Sequence, residues 1–262
     1  MESKKYFKWL MRMGLFCLLL NSVASAILLQ PGFEQFFVED VAGRTRAWGI
    51  GIADFNNDNI DDIVSGDTFG DVHLFLGNGD STFTDQGVVI NAPYHNAYGL
   101  AVGDFDKDEN QDFVLTATTD WGGATDGTVF LYLGNGNGTF QSTGFPQAGI
   151  PIGDVGTDSM IADAADVDGD GDIDLIAGDV TASPNAAADV ILFRNMGNDI
   201  GGTPVWSTET IISAPNVTPN PELPPYFPPT VYLHAWGLAF GDMDGDDDPD
   251  LLVGDRASYL YI

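Results

Sequence analysis

Four copies of one seventeen-residue segment, which align without gaps, constrain the fold of this 262-residue chain more than any other feature. The copies begin at Trp48, Tyr98, Met160 and Trp236. Each starts with a short apolar stretch, continues through an Asp-rich loop and ends in a second apolar stretch. The first loop aspartates are residues 54, 104, 166 and 242, so the spacings are 50, 62 and 76 residues. Such spacings suit a repeated unit of three to five β-strands, whereas a single helix–loop–helix pair would be shorter.

The first apolar stretch of each copy reads as a strand with two unlike faces. In the first copy, Trp48, Ile50 and Ile52 alternate with Gly49 and Gly51, so one face is bulky and the other is nearly bare. The second and fourth copies repeat this pattern, but the third places an Ile and an Asp on the small face. Glycine weakens a strand unless another part of the chain must approach closely. We therefore expect these strands to pack tightly near a common axis or against a neighbouring sheet.

More strands are predicted after each loop. A short apolar strand comes first, then a third strand, and Gly-Asn-Gly turns at residues 77–79 and 134–136 predict hairpins into a fourth. Repeated units of four antiparallel strands are typical of β-propeller blades, and no stretch has a sustained helical period. The sequence thus predicts an all-β propeller. The expected blades cover about residues 47–90, 97–147, 159–212 and 235–262, the last of them incomplete.

The Asp-rich loops are candidate cation sites. We name them loop 1 (residues 54–62), loop 2 (104–112), loop 3 (166–174) and loop 4 (242–250). Oxygen ligands at alternate positions of a tight turn can converge on one cation, and Ca²⁺ accepts about six to eight oxygens in flexible geometry. Softer metals would prefer Cys or His, which the loops lack. Acidic or amide side chains occupy positions 1, 3, 5 and 9: Asp54, Asn56, Asp58 and Asp62; Asp104, Asp106, Asp108 and Asp112; Asp166, Asp168, Asp170 and Asp174; Asp242, Asp244, Asp246 and Asp250.

An EF-hand shares positions 1, 3 and 5 with these loops but requires a Glu at position 12. Position 12 is here Ser65, Leu115, Ala177 or Val253. None of these side chains supplies the required carboxylate, so the EF-hand and dockerin interpretations are rejected for all four loops.

Together with the preceding A-[WY]-G-[IL] strand and the following L-G-N-G turn, the loops resemble FG-GAP/VCBS repeats over roughly residues 33–262. Such repeats build the β-propeller of integrin α-subunits and of many secreted microbial proteins. The resemblance implies up to four Ca²⁺ ions, with side-chain ligands at positions 1, 3, 5 and 9. It also implies a backbone carbonyl ligand at position 7, which is Ile60, Asn110, Asp172 or Asp248. Loops 1 and 2 depart at position 6, where Asn59 and Glu109 replace the usual glycine.

The charge of the chain supports the cation interpretation. The chain has 39 acidic and 9 basic side chains and a formal net charge of -30. Of its 33 aspartates, 19 lie in the four nine-residue loops, where uncompensated carboxylates would repel one another. This charge disfavours nucleic acid and anionic membranes as partners. A hydrophobic content of 44% excludes a disordered acidic tail.

Residues 1–26 have the pattern of a secretory signal peptide. A basic segment precedes an apolar run at residues 13–20, and small residues at 24–26 form a cleavage site. The run is shorter than the roughly 20 residues that a transmembrane helix needs. We therefore expect the mature domain to be residues 27–262, with no membrane span. The expected location is extracellular or at the cell surface, with the periplasm as the alternative.

Two architectures and two functions remain open at this stage. The repeats could belong to a longer propeller, seven blades being usual for the family, or close a four-bladed ring in which residues 33–38 supply the missing strand. No catalytic constellation is visible, and His73, His95 and His234 are interpreted as structural. The favoured function is a binding or adhesion module for an extracellular protein or carbohydrate ligand. The alternative is a secreted polysaccharide lyase or hydrolase, or the propeller domain of one.

Overall fold

The structure is a computed structural model. It describes residues 47–91, 95–118, 127–141, 148–155, 159–179, 189–213, 235–246, 248–255 and 260–261. The predicted signal peptide at 1–26, the candidate strand at 33–38 and His234 lie outside these residues, as does the side chain of His95. Among the described residues, no helix has the length and apolar character needed to cross a membrane.

The described residues form fifteen β-strands in four sheets, and within each sheet the strands are antiparallel and adjacent in chain order. The first sheet contains β1 (Ala47–Ala53), β2 (Asp62–Asp67), β3 (Asp71–Gly77) and β4 (Phe83–Asn91). The second contains β5 (His95–Gly103), β6 (Asp112–Thr118), β7 (Gly127–Tyr132) and β8 (Ile150–Asp154). The third contains β9 (Ser159–Ala165), β10 (Asp174–Asp179), β11 (Asp189–Asn198) and β12 (Pro204–Ser213). The fourth contains β13 (Ala235–Gly241), β14 (Asp250–Asp255) and β15 (Leu260–Tyr261).

This arrangement confirms the predicted fold class. Up-and-down sheets of four strands, repeated along the chain, are the blades of a β-propeller. The described part of the fourth sheet has three strands. The four blade boundaries and the number of blades in a complete propeller stay predictions.

The hydrophobic core lies between successive sheets. One cluster joins the first and second sheets and includes Leu74 and Phe113, and another joins the second and third and includes Leu131 and Phe193. All four side chains are fully buried. A smaller cluster joins the third and fourth sheets. Each sheet therefore depends on its neighbour for burial of its apolar face, as expected of repeated units that cannot bury that face alone.

The glycines of the first strands allow the close approach that the sequence predicts. A Cβ atom added to Gly51 would lie 2.4 Å from Val102 Cγ1, and one added to Gly49 would lie 3.0 Å from the backbone nitrogen of Leu100. The bare face of β1 thus receives the bulky face of β5. The bulky face of a first strand is the side that bears the positions equivalent to Ile50 and Ile52, and the glycine face is the opposite side.

The third repeat contacts its neighbouring sheet through a carboxylate on its first strand. Asp163 stands on the face that carries glycine in the other repeats, and its Oδ2 accepts a 2.7 Å hydrogen bond from the backbone N–H of Phe240 in β13. A carboxylate therefore links the third sheet to the fourth where the earlier junction uses glycine.

His73 is buried on β3, in agreement with a structural role. Its Nε2 lies 3.6 Å from Asp67 Oδ2, which is beyond hydrogen-bond distance.

Candidate metal centres

Each Asp-rich loop joins the first strand of a sheet to the second by the same tight turn. In loop 1, Asn57 at position 4 and Asn59 at position 6 have φ values of 60° and 65°, and in loop 2 Lys107 and Glu109 have 58° and 70°. Gly169 and Gly171 hold the same two positions in loop 3, with φ of 74° and 85°. Two left-handed residues, separated by one ordinary residue, make the loop curl around its own interior. Glycine adopts this backbone at least cost, and Asn tolerates it better than Lys or Glu.

The carboxylate at position 1 holds this curl together. In loop 2, the backbone N–H of Asp108 donates to Asp104 Oδ1 (3.1 Å) and that of Glu109 donates to Asp104 Oδ2 (3.0 Å). The N–H of Asn110 at position 7 donates to Asp108 Oδ1 at 2.8 Å. The same bonds from positions 5 and 7 recur in all four loops. Short Asp side chains suit this turn because their oxygens stay close to the backbone that donates to them.

The aspartate at position 9 fastens the loop to the sheet. Asp112 is fully buried; its Oδ2 accepts a hydrogen bond from the backbone N–H of Phe105 (2.8 Å), and its Oδ1 accepts one from that of Gly134, two residues after the third strand (2.7 Å). Asp62 and Asp174 make the equivalent pair of bonds. Asp250 Oδ2 accepts the N–H of Met243 in the same way. Position 9 therefore has a structural role whether or not a cation is bound.

The L-G-N-G motif has a role that sequence reasoning missed. The sequence predicts that its first glycine belongs to a hairpin turn, and the turn is present, since Asn135 N–H donates to the carbonyl of Thr139 at 2.9 Å. A Cβ atom on Gly134 would, however, lie 2.2 Å from the carbonyl oxygen of Gln111 in loop 2. A Cβ on Gly77 would lie 2.3 Å from that of Asp61 in loop 1. These glycines let the third strand run directly against the loop.

Three loops bring acidic side chains within reach of one cation. In each of three groups, one ligand oxygen per residue lies within 4.8 Å of the others. The groups are Asp104, Asp106 and Asp108; Asp166, Asp168 and Asp174; Asp242, Asp244 and Asp246. Loops 2 and 4 thus gather positions 1, 3 and 5, whereas loop 3 gathers positions 1, 3 and 9.

Loop 1 supplies fewer carboxylates because position 3 is an amide. Asn56 Oδ1 accepts the N–H of Asp58, and its Nδ2 donates to Asp58 Oδ2. Asp54 and Asp62 make the position 1 and position 9 contacts described above, and Asp170 and Asp246 the position 5 contacts. Ile60, Asn110, Asp172 and Asp248 occupy position 7 of the turns. Cation binding by the twenty residues at positions 1, 3, 5, 7 and 9 of the four loops stays a prediction.

The electrostatics of loop 2 disfavour the ionised form of two of its carboxylates. Burial, reinforced by the nearby negative charge of Asp108, raises the pKa of Asp106 to about 6. Burial raises the pKa of Asp112 to about 7, although its two backbone hydrogen bonds oppose the shift. Burial also raises the pKa values of Asp62 and Asp174. Removing water from several neighbouring carboxylates is unfavourable, and a bound cation would offset that cost.

Neighbouring loops contact one another through positions 4 and 7. Asn57 Nδ2 of loop 1 donates to Asn110 Oδ1 of loop 2 at 2.8 Å, and Lys107 Nζ of loop 2 lies 2.7 Å from Asp172 Oδ1 of loop 3. Position 4 of loop 3 is Gly169, which has no side chain to continue the series. Loops 1, 2 and 3 therefore form a row of contacting turns.

Arg194 is a second basic contact that the sequence did not reveal. It comes from β11, and its Nη1 donates to Asp168 Oδ2 at 2.7 Å. A guanidinium thus contacts position 3 of loop 3, with both side chains about one-third to two-fifths exposed (34% and 41%). No motif signals this pair, because the two residues are 26 positions apart and meet only through sheet pairing.

The donor set fits a hard divalent cation. Every side chain at positions 1, 3, 5 and 9 offers oxygen, and the position 1 oxygens are already oriented by backbone N–H groups. Oxygen donors with several carboxylates are the ligands that Ca²⁺ prefers.

Comparison with known proteins agrees with the repeat architecture. The family model of the FG-GAP-like repeat matches residues 27–115 and 118–177, which is more than half of the chain. No curated protein matches the chain. The matched residues include the first sheet, all of the second sheet except residues 116–117, loops 1 to 3 and the first strand of the third sheet. The chain therefore belongs to the FG-GAP-like repeat family.

Proposed function

We propose that this chain is a secreted, calcium-stabilised β-propeller that serves as a binding module for an extracellular protein or glycan. FG-GAP-like repeats suggest a propeller-like binding module, and proteins with them are often extracellular. The observation that carries the calcium proposal is the recurrence of one hydrogen-bonded turn in four loops, three of which gather three acidic side chains each.

The proposed cation has a structural role. Side chains at positions 1, 3, 5 and 9 and the carbonyl at position 7 would hold it, and it would neutralise the carboxylates that crowd each turn. Because each loop connects the first two strands of a sheet, fixing the loop would stabilise the sheet. Binding of a metal to the folded chain alone raises stability by mass action.

Thermal unfolding with calcium, with EDTA and with magnesium tests this role. We expect the melting temperature to rise with calcium and to fall when EDTA is added. Magnesium should give a smaller rise, because it demands a tighter octahedral site. A melting temperature that is the same in calcium and in EDTA would refute the proposal.

Loop 1 offers a matched pair of variants. Asp58 at position 5 is a predicted ligand, whereas Asp61 at position 8 is exposed and is not. Asp58→Asn and Asp61→Asn remove the same charge from the same loop. Calorimetric titration should show that Asp58→Asn weakens calcium binding at one site by about tenfold or more, with little change for Asp61→Asn. Equal effects would mean that the loop acts only through its overall charge.

Secretion and ligand class need separate measurements. A mass spectrum of protein exported by the cell should show a chain that begins at Ile27, and a retained residue 1–26 segment would contradict cleavage. A glycan array tests carbohydrate binding. Assays for lyase and hydrolase activity on the bound polymers would separate the binding module from the enzyme alternative, since turnover of any polymer would favour the latter.

A further inference from the structure

The basic side chains of the described residues meet at one loop. Lys107 and Arg194 are the only Lys and Arg residues in the part of the chain that the structure describes, and both contact loop 3. Arg194 Nη1 donates to Asp168 Oδ2 at 2.7 Å, and Lys107 Nζ lies 2.7 Å from Asp172 Oδ1. Two positive charges therefore lie against positions 3 and 7 of one turn, in a chain whose formal net charge is -30.

Arg194 occupies a position that is apolar in the two earlier repeats. The residue after it donates its backbone N–H to the carboxylate at position 9, as the first glycine of the L-G-N-G turn does in those repeats. Arg194 is therefore equivalent to Leu76 and Leu133. Its Nε also lies 4.0 Å from Glu209 Oε2 on β12. The guanidinium could thus leave loop 3 and still have a carboxylate within reach.

Lys107 joins loop 2 to loop 3 through charge. The equivalent residue in loop 1 is Asn57, which donates to another amide, that of Asn110 in loop 2. Lys107 contacts a carboxylate instead, and a Cβ atom on Gly171 at position 6 of loop 3 would lie 3.7 Å from its Nζ. The ammonium therefore lies directly against the turn of loop 3.

Loops 2 and 3 are otherwise closely matched. Each has five carboxylates in nine residues, and each brings three of them within reach of one cation. Within the described ranges, no Lys or Arg side chain forms an ion pair with the carboxylates of loop 2. A cation that enters loop 3 must compete with two charges already in place, whereas one that enters loop 2 meets no such pair.

We propose, on the basis of the calcium binding proposed above, that Lys107 and Arg194 make loop 3 a weaker calcium site than loop 2 and stabilise its turn when calcium is absent. Positive charges beside the site repel a divalent cation, and the guanidinium already occupies one oxygen of Asp168. The same charges offset the mutual repulsion of the carboxylates in the metal-free turn. Loop 2 then fills at low calcium and loop 3 only at higher calcium, so the propeller responds over two concentration ranges.

Hydrogen–deuterium exchange measured by mass spectrometry tests this order in the unmodified chain. Peptides that cover residues 104–112 and 166–174 are followed while calcium is added to metal-free protein. The calcium concentration that gives half-maximal protection should be about tenfold or more higher for loop 3 than for loop 2. Equal midpoints, or a lower one for loop 3, would overturn the inference but leave calcium binding intact. Protection of neither loop would overturn calcium binding and this inference together.

Variants at Arg194 separate competition from a merely structural role. Arg194→Leu installs the residue of the two earlier repeats, and Arg194→Lys is the control that keeps the charge. Arg194→Leu should lower the calcium midpoint of loop 3 by a few fold, yet in EDTA it should make loop 3 exchange faster. Adding Lys107→Met should enlarge both effects, whereas Arg194→Lys should stay closer to the unmodified chain in both.

These two effects point in opposite directions, which a structural role alone would not produce. If Arg194 only oriented Asp168 for the cation, Arg194→Leu would weaken calcium binding as well as speed exchange, and that result would overturn the proposal. Circular dichroism checks that the variants are folded. Should Arg194→Leu fail to fold, the order of the two midpoints in the unmodified chain still decides.

Discussion

The spacing between sheets can be tested by adding a single methyl group at equivalent places in two repeats. Gly49 and Gly237 hold the same position in the first and fourth copies. A Cβ on Gly49 would lie 3.0 Å from the nitrogen and 3.1 Å from the Cβ of Leu100, and 3.2 Å from the carbonyl carbon of Gly99. These atoms are backbone or directly bonded to it, so they cannot rotate away. A Cβ on Gly237 would meet no heavy atom of the described residues within 4 Å.

The two Gly→Ala substitutions should therefore have different effects on the free energy of unfolding. Forcing an extra methyl group into a packed junction costs about 1–3 kcal/mol. Replacing glycine by alanine also restricts the unfolded chain, which stabilises the folded state by roughly 0.4–1 kcal/mol where the backbone permits it. Gly49→Ala should thus lower the free energy of unfolding by about 1–2 kcal/mol. Gly237→Ala should leave it unchanged or raise it by roughly 0.5 kcal/mol.

Urea unfolding in calcium, followed by tryptophan fluorescence and by circular dichroism, measures this difference. Both variants are compared with the unmodified chain at one protein concentration. Equal changes in the two variants, or stabilisation by Gly49→Ala, would refute the claim that glycine sets the distance between neighbouring sheets.

Three further predictions concern the loops. Glu109 has a φ of 70°, so Glu109→Gly should raise the free energy of unfolding of the metal-free protein by about 1 kcal/mol in urea. Asn59→Gly (φ 65°) should raise it by less, because Asn tolerates the left-handed backbone better than Glu. Equal gains would contradict the claim that Glu109 is strained at this position. The pKa of Asp112 is about 7 in the folded chain, above its ordinary value of 3.8, so the folded state binds a proton that the unfolded chain has released. The stability of the EDTA-treated protein should consequently fall as the pH rises from about 4 to 7, and Asp112→Asn should reduce this slope. Arg194→Gln should strengthen calcium binding at loop 3 by a few fold, because it removes a positive charge that contacts Asp168. Calorimetric titration measures this affinity. An unchanged or weaker affinity would show that the guanidinium orients the carboxylate instead.

The loop positions were predictable because their chemistry is local. The alternating Asp pattern and the two left-handed positions lie within nine residues, and the next β-strand begins at the ninth, so the sequence carries the whole turn. The alternation of Ile50 with Gly49 and Gly51 likewise indicated two unlike strand faces. A period of two follows from the geometry of a single strand and needs no partner.

The contacts between distant residues were not predictable. Arg194 meets Asp168 only because β10 and β11 pair in one register, and Lys107 meets Asp172 only because two turns lie side by side. Asp163 stands on the face that carries glycine in the other repeats, and its carboxylate joins the third sheet to the fourth. The sequence indicated only that this repeat departs from the others and did not predict the contact. Such pairs depend on strand register and on sheet stacking, which are properties of the assembled sheets.

The sequence by itself determined the repeat, its all-β class and the oxygen-rich turns, because each of these arises from residues close together in the chain. Tertiary structure decided which face of each repeat is covered. Ile50 and Leu100 occupy the same repeat position, yet one is 59% exposed and the other 8%, since among the described sheets only the second residue has one packed against it. Burial is a property of the neighbour as well as of the residue, and identical sequence patterns therefore become a core in one repeat and an open surface in another.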